Sequence, residues 1–85
     1  MIRIYTLKSC VYCNELKTLL KQENIEYKEI DVDLPEHQDE FNKILKIAQT
    51  EYLPIILVNK RILVSEKSFN TIIGAVDLIK KFLNS

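Results

Sequence analysis

Two cysteines, the only two in the chain, are the residues whose type and spacing could carry chemistry. They are Cys10 and Cys13, separated by Val11 and Tyr12, and an alternating apolar run precedes them while a helical pattern follows. This context predicts a strand, a short turn and a helix that opens at Cys10. The first N–H groups of a helix lack intrahelical partners, and the peptide dipoles add partial positive charge there. A thiolate is therefore favoured over a thiol at Cys10, whereas Cys13, one turn further in, is expected to stay protonated.

Such a pair could open and close a disulfide without refolding the chain. Side chains three positions apart lie on one helix face with Cβ atoms about 5–6 Å apart, so a modest adjustment brings them into disulfide range. We expect Cys10 to attack a disulfide and Cys13 to resolve the product. Two other uses of this spacing are a structural disulfide and half of a zinc site. The loop is too short for a crosslink to stabilise the fold much, and a zinc site would need a second chain, since His37 belongs to another element.

Length and charge bound the class of protein. Eighty-five residues predict one domain over residues 1–85, with a single modest core. Acidic and basic residues balance at 12 each and no basic cluster stands out, so nucleic acid is not expected as a partner. No apolar run approaches the roughly 18 residues of a membrane span, so a membrane is not expected either. These features favour a reducing, cytoplasmic compartment, where a cysteine pair is more often catalytic or metal-binding than a crosslink.

The rest of the sequence alternates strand and helix patterns, which must position the cysteine pair. Asn24 is expected to end the first helix, Asp33 to cap the second, and Asn59-Lys60 to form a tight hairpin turn. The predicted strands are residues 1–6, 25–32, 54–58 and 61–64, and the predicted helices are residues 11–23, 33–48 and 68–83. The expected inner face of the second helix is Phe41, Ile44, Leu45 and Ala48, and that of the last is Phe69, Ile72, Ile73, Val76, Ile79 and Leu83.

The order β-α-β-α-β-β-α, with the thiol pair at the first strand-to-helix turn, resembles the glutaredoxin form of the thioredoxin fold over the whole chain. The resemblance rests on Tyr-Thr ahead of Cys10-Val11-Tyr12-Cys13, on the phrase YKEIDVD at residues 27–33, and on Pro54 at the start of the third strand. It implies an α/β, thioredoxin-like domain in which a four-stranded mixed sheet is flanked by three helices. It also implies a cis peptide bond between Leu53 and Pro54, which turns the Leu53 backbone outward to pair with an extended thiol substrate.

By this resemblance the protein is a glutathione-dependent thiol-disulfide oxidoreductase, a dithiol glutaredoxin with Cys10 and Cys13 as catalytic residues. Glutathione is the implied reductant, no metal is expected, and the protein is expected to be a monomer. Ribonucleotide reductase or another small protein disulfide is the implied substrate. Ser68 is expected to cap the last helix, where N–H groups can bind an anion. The implied glutathione and substrate contacts are Lys8, Tyr12, Leu53, Pro54, Lys67 and Ser68.

Several positions depart from the family pattern. Val11 replaces the proline of Cys-Pro-Tyr-Cys, and Leu7 stands where a basic residue is common, with Lys8 beside it. The usual Gly-Gly after the fourth strand is replaced near residues 64–66, where Glu66 is expected to repel a carboxylate. The altered groove favours an alternative within the class, a redoxin that thioredoxin reductase recharges and that donates electrons to ribonucleotide reductase. Two further alternatives are an iron-sulfur cluster-binding glutaredoxin and an inactive interaction module on the same fold.

Overall fold

A computed structural model describes residues 1–84. The predicted domain over residues 1–85 thus includes one residue, Ser85, that lies outside the described residues. The order of elements is the predicted one, with a short 3-10 turn added before the second helix. The elements are β1 Ile2–Thr6, α1 Val11–Gln22, β2 Lys28–Asp31, a 3-10 turn Pro35–His37, α2 Gln38–Ala48, β3 Ile55–Val58, β4 Arg61–Leu63 and α3 Ile72–Leu83.

The strands of residues 1–84 form one four-stranded mixed sheet in the order β2-β1-β3-β4. β1 runs parallel to β2 and antiparallel to β3, and β3 and β4 form an antiparallel hairpin. Tyr5, near the end of β1, pairs with Ile55 at the start of β3. The chain leaving β1 toward Cys10 therefore lies next to Pro54, which immediately precedes β3.

The core lies on both faces of this sheet, because successive side chains of a strand point to opposite faces. Ile4 of β1 packs in a cluster with residues of α1 and α3, whereas Tyr5 packs in a second cluster with residues of α2. All of the predicted inner face of α2 lies in or against this second cluster. The predicted sheet flanked by three helices is confirmed in the part of the chain that the structure describes.

A predicted helix end and a predicted hairpin turn are confirmed by left-handed backbone conformations. Asn24, with φ 56°, follows α1, and the N–H groups of Asn24 and Ile25 donate to the carbonyls of Lys21 and Leu20. This is the Schellman arrangement, which satisfies the last carbonyls of a helix. Asn59, also with φ 56°, begins the hairpin turn between β3 and β4.

The second strand and the second helix start later than predicted. Residues 25–27 precede β2, and Ile25 and Tyr27 pack against the core without joining the sheet. Asp33 does not cap α2, because tight turns intervene: the N–H of Leu34 donates to the carbonyl of Asp31, and the N–H of His37 donates to that of Leu34. Each of these hydrogen bonds joins residues three apart, as in a 3-10 turn. The period of an α-helix does not predict such turns.

The last helix also starts later, at Ile72. Its N-cap is Thr71, whose Oγ1 accepts a hydrogen bond from the N–H of Gly74 at 3.0 Å. The prediction that Ser68 caps this helix is wrong, because the Ser68 hydroxyl instead accepts from the N–H of Val64 at 3.2 Å.

This start sets which side of α3 faces the core. Ile72, Ala75, Val76 and Ile79 are the buried residues of the helix, and Phe69 is buried in the turn before it. The inward placement predicted for Ile73 and Leu83 is wrong, since these side chains are 66% and 40% exposed. No helix within residues 1–84 is long and apolar enough to cross a bilayer.

Candidate redox site

Cys10 lies at the N-terminus of α1, as the sequence predicts. Its backbone is extended, and its Sγ accepts a hydrogen bond from the N–H of Cys13 at 3.1 Å. The sulfur thus occupies the place that a serine or aspartate oxygen takes in a common N-cap. Negative charge on Cys10 is favoured there, because the sulfur receives an N–H and lies at the positive end of the helix dipole.

The two cysteines differ in their access to solvent. Cys13 is fully buried, whereas Cys10 is partly exposed. A disulfide joins them, with a Cα–Cα distance of 5.2 Å, which is within the usual range for such bonds. Cys10 is consequently the sulfur that an external thiol or disulfide reaches.

The peptide bond between Leu53 and Pro54 is cis, as the family resemblance implied. Pro54 is buried, and the carbonyl oxygen of Leu53 lies 3.8 Å from Cys10 Sγ. The pairing of β1 with β3 produces this contact between residues 43 positions apart. A backbone acceptor therefore stands directly beside the accessible sulfur.

A cleft of about 210 Å³ opens beside Leu53 and Pro54. Tyr12 forms part of its lining and is 63% exposed. The cleft thus brings together three of the six predicted glutathione and substrate contacts. On the side toward α3, its lining includes Glu66, Asn70 and Thr71.

The other three predicted contacts lie outside the lining of this cleft. Lys8 is exposed in the turn after β1, where its carbonyl accepts from the side-chain amide of Asn14 at 3.4 Å. Lys67 is exposed and Ser68 is partly buried in the turn before α3. The late start of α3 leaves Lys67 and Ser68 in this turn rather than at the N-terminus of the helix.

Sequence reasoning missed Asn70 and Thr71 as cleft residues. The late start of α3 puts these two residues, rather than Lys67 and Ser68, at the N-terminus of the helix. A signal was present, because a threonine directly before an apolar helical run is a favoured N-cap.

Glu66 adopts the left-handed backbone conformation, with φ 70°. Its N–H donates to the carbonyl of Phe69 at 2.8 Å, which closes the turn between β4 and α3. Glycine adopts this conformation readily, whereas other residues adopt it at a cost. Near the position where the family pattern has glycines, this chain therefore has a non-glycine residue in the left-handed conformation. The side chain of that residue, Glu66, adds a carboxylate to the cleft.

The end of β1 is tied to its neighbours by a shared carboxylate. Thr6 Oγ1 and Lys17 Nζ both donate to Glu29 Oε2, at 2.8 and 2.7 Å. The ammonium of Lys17 is the largest cause that lowers the pKa of Glu29, and the hydrogen bond from Thr6 acts in the same direction while burial opposes them. This contact joins the last residue of β1 to the second turn of α1. These two segments precede and follow the cysteine pair in the sequence.

His37 has no role at this site. Its Nδ1 lies 3.0 Å from the carbonyl oxygen of Asp31. Within the described residues, no group of three or more His, Cys, Asp or Glu side chains is arranged to hold a metal ion.

The fold and the cysteine pair define a thiol redox protein with a Cys-x-x-Cys site at the start of a helix. A family model described as Glutaredoxin matches residues 2–63. The chain therefore belongs to the glutaredoxin family.

Relatives agree with this assignment, and solved structures are similar in fold. Glutaredoxin 1 of Rickettsia felis is 36% identical over 58 residues, which are 68% of this chain and 57% of that protein. The match thus spans little more than half the length of that relative. The crystal structure of a glutaredoxin from Archaeoglobus fulgidus is 17% identical, with a TM-score of 0.71 over 99% of this chain and 86% of that one.

The NrdH-redoxin of Escherichia coli is also similar in structure. It is 22% identical, with a TM-score of 0.61 over 94% of this chain and 91% of that one. Together with the Archaeoglobus structure, it confirms the predicted thioredoxin-like fold.

Proposed function

We propose that the protein is a thiol-disulfide oxidoreductase that reduces protein or small-molecule disulfides through Cys10 and Cys13. The observation that carries this proposal is the placement of Cys10. Its sulfur accepts the N–H of Cys13 at 3.1 Å at the mouth of α1, and it is the accessible member of the pair.

The reaction proceeds through one mixed disulfide. The Cys10 thiolate attacks one sulfur of the substrate disulfide, and the other sulfur leaves as a thiolate that takes a proton from solvent. Cys13 then loses its proton and attacks Cys10 Sγ, which releases the second substrate sulfur as a thiol. Two electrons and two protons reach the substrate, and the Cys10–Cys13 disulfide remains.

Leu53 supplies the backbone groups that orient the substrate. Its carbonyl oxygen lies 3.8 Å from Cys10 Sγ, so a peptide that pairs with this backbone in extended form brings its own sulfur to Cys10. A protein disulfide, such as that of ribonucleotide reductase, is the substrate that we propose for this arrangement. We propose further that the protein acts as a cytoplasmic monomer and needs no metal.

Glutathione is the electron donor that we propose. Two glutathione molecules reduce the Cys10–Cys13 disulfide in two exchange steps and leave as glutathione disulfide. Family membership and the cleft beside Cys10 support this donor, since Tyr12, Asn70 and Thr71 offer neutral polar groups there.

A second candidate donor is thioredoxin reductase, a flavin enzyme. Glu66 favours it, because a carboxylate in the cleft opposes the carboxylates of glutathione. The NrdH-redoxin of Escherichia coli is a glutaredoxin-like protein with a thioredoxin-like activity profile, so the class includes such behaviour.

The test supplies each donor system separately. Reduction of the mixed disulfide of glutathione and 2-mercaptoethanol is followed with glutathione and glutathione reductase, and insulin reduction is followed with thioredoxin reductase. Cys10→Ser should abolish turnover in both assays. With glutathione, Cys13→Ser should retain turnover, because a second glutathione can resolve the mixed disulfide on Cys10.

The two donors predict opposite patterns. Turnover only with thioredoxin reductase, lost in Cys13→Ser as well, would establish the second candidate. Activity that persists in Cys10→Ser would contradict the proposed function with either donor.

A further inference from the structure

Carboxylates line the surface on both sides of Leu53. On one side, the cleft beside Pro54 contains Glu66. On the other side, a depression of about 310 Å³ is lined by Leu53 together with Asp33 and Glu51. Leu53 belongs to both linings, so the two depressions adjoin at this residue, whose carbonyl oxygen lies 3.8 Å from Cys10 Sγ.

The charged residues that line these two depressions are all acidic. Among the described residues that line either depression, none is a lysine, arginine or histidine. The ion pairs found within residues 1–84 engage other carboxylates, those of Glu23, Glu29 and Glu40. Lys8 follows Leu7 and Lys67 follows Glu66 in the sequence, but both lysines are exposed and neither lines a depression.

Glu66 lies in a turn that backbone hydrogen bonds close. Its N–H donates to the carbonyl of Phe69 at 2.8 Å, and the N–H of Ser68 donates to the carbonyl of Val64 at 2.9 Å. The Ser68 hydroxyl accepts from the N–H of Val64 at 3.2 Å and closes the same turn from the other side. The backbone that carries this negative charge is consequently fixed beside the cleft.

We propose that these carboxylates select polypeptide disulfides whose cysteine is flanked on both sides by basic residues. This inference rests on the proposed function, since it concerns the substrate of the same Cys10. An extended segment rises about 3.3 Å per residue. A peptide that crosses Leu53 with its cysteine at Cys10 therefore places residues from its two sides over opposite depressions. Lysine or arginine there meets Glu66 on one side and Glu51 and Asp33 on the other.

The expected effect is on the rate of encounter and is sensitive to salt. Glu66, Glu51 and Asp33 are exposed, so their attraction for a cation is moderate and screened by ions. Charges near a reactive centre nevertheless steer association, and their effect falls steeply with ionic strength. We expect about a tenfold preference for basic over acidic substrates at low salt.

The experiment uses the reduced protein in single turnovers, so that no electron donor enters the measurement. Three oxidised model peptides carry cysteine flanked by lysine, serine or glutamate, and each reaction is quenched with acid and resolved by chromatography. Each rate constant is divided by that of dithiothreitol with the same peptide, because dithiothreitol carries no charge besides its reacting thiolate and reports the intrinsic reactivity of each disulfide. The lysine peptide should react about tenfold faster than the glutamate peptide at ~20 mM salt and within about twofold of it at ~0.5 M salt.

Variants assign the preference to particular carboxylates. Glu66→Gln and Glu51→Gln should each lower the ratio of lysine to glutamate peptide about threefold at low salt. Glu66→Gly should do the same while suiting the left-handed backbone. Glu26→Gln is the matched control, because Glu26 lies near Met1 and Leu83 at the opposite end of β1 from Cys10. This control should leave the ratio unchanged.

The outcomes separate this inference from the proposed function. Equal normalised rates for the three peptides would overturn the inference and leave the proposed function standing. A preference that survives undiminished in the protein carrying both Glu66→Gln and Glu51→Gln would also overturn it. Failure to reduce even the serine peptide would contradict the proposed function itself.

Discussion

The sulfur of Cys10 contacts backbone groups rather than a charged side chain. Its sulfur receives the N–H of Cys13 and lies beside the carbonyl of Leu53. No hydrogen bond or ion pair joins it to a charged side chain in residues 1–84. We expect the position at the start of α1 to favour the thiolate without a contribution from a charged side chain.

Removing the nearest cation in the sequence should therefore leave Cys10 nearly as reactive. We expect Lys8→Ala to change the rate of Cys10 alkylation by iodoacetamide less than about twofold, because an exposed ammonium is largely screened by water. The reduced protein is alkylated at pH 7, and modified Cys10 is quantified by mass spectrometry. A tenfold loss would show that Lys8, rather than the helix terminus, supports the thiolate.

Tyr5 provides a second prediction for a single residue. Its hydroxyl donates to Glu40 Oε2 at 2.6 Å, and burial together with this hydrogen bond raises the pKa of Tyr5 to about 12. Tyr5→Phe should lower the free energy of unfolding by about 1–2 kcal/mol, because a hydrogen bond to a charged group is lost while Glu40 keeps Arg3 and solvent. Urea denaturation measures the change. Tyr52→Phe, at a 64% exposed tyrosine, is the control and should change stability by less than about 0.5 kcal/mol.

At the scale of elements, α3 determines what surrounds the cysteine pair. Its start at Ile72 brings Thr71 and Asn70 into the cleft and leaves Ser68 in the preceding turn. The same start turns Ile79 into the core and Ile73 toward solvent. The two consequences can be tested separately.

The cap is tested by exchanging Thr71. Thr71→Ala should destabilise the protein by about 1 kcal/mol, because the N–H of Gly74 loses its acceptor. Thr71→Ser keeps the oxygen and should retain most of that stability. Both are measured by urea denaturation. If Ser68→Ala alone produced the loss and Thr71→Ala did not, the helix would start where the sequence pattern first suggested.

Two matched substitutions by alanine test which face of α3 is buried. Ile79 is fully buried and Ile73 is 66% exposed. Ile79→Ala should cost about 2–5 kcal/mol, since it removes buried methyl groups and leaves a cavity, whereas Ile73→Ala should change stability by less than about 0.5 kcal/mol. Thermal and urea unfolding measure the change in stability of both variants. Equal losses would contradict the observed orientation of α3.

At the scale of the whole molecule, two carboxylates connect elements on both faces of the sheet. Glu40 of α2 accepts from Tyr5 and Arg3 of β1, and Glu29 of β2 accepts from Lys17 of α1. The hydrogen bond from Tyr5 is the largest cause that lowers the pKa of Glu40, and Lys17 is the largest for Glu29. Stability of the whole fold is therefore linked to pH.

Both folded-state pKa values lie below the value of 4.5 expected for the unfolded chain. The stabilising contribution is complete above pH 4.5 and is lost as pH falls through the folded values. Tyr5 acts in the opposite sense: its contribution is complete below pH 10 and is lost as pH rises toward about 12. Urea midpoints measured from pH 3 to 12 should fall at both ends. Glu29→Gln and Glu40→Gln should each flatten the acid limb, and an unchanged acid limb in both variants would contradict this linkage.

Short-range patterns were enough to predict much of this protein. Cys10 at the N-terminal cap of a helix, Asn24 as a helix end and Asn59-Lys60 as a hairpin turn each depend on a few neighbouring residues. The element order follows from the alternation of strand and helix periods. Because these signals are local, they could be read from the amino acids without knowing the fold.

The surroundings of the cysteine pair were decided by tertiary structure. The contact between Cys10 and Leu53 exists because β1 pairs with β3, and the start of α3 depends on a turn closed by the hydrogen bond between Glu66 and Phe69. The apolar period of α3 alone is compatible with a start at Ser68 or at Ile72. The choice between them is made by packing and backbone hydrogen bonds between distant or non-helical residues, which no local pattern contains.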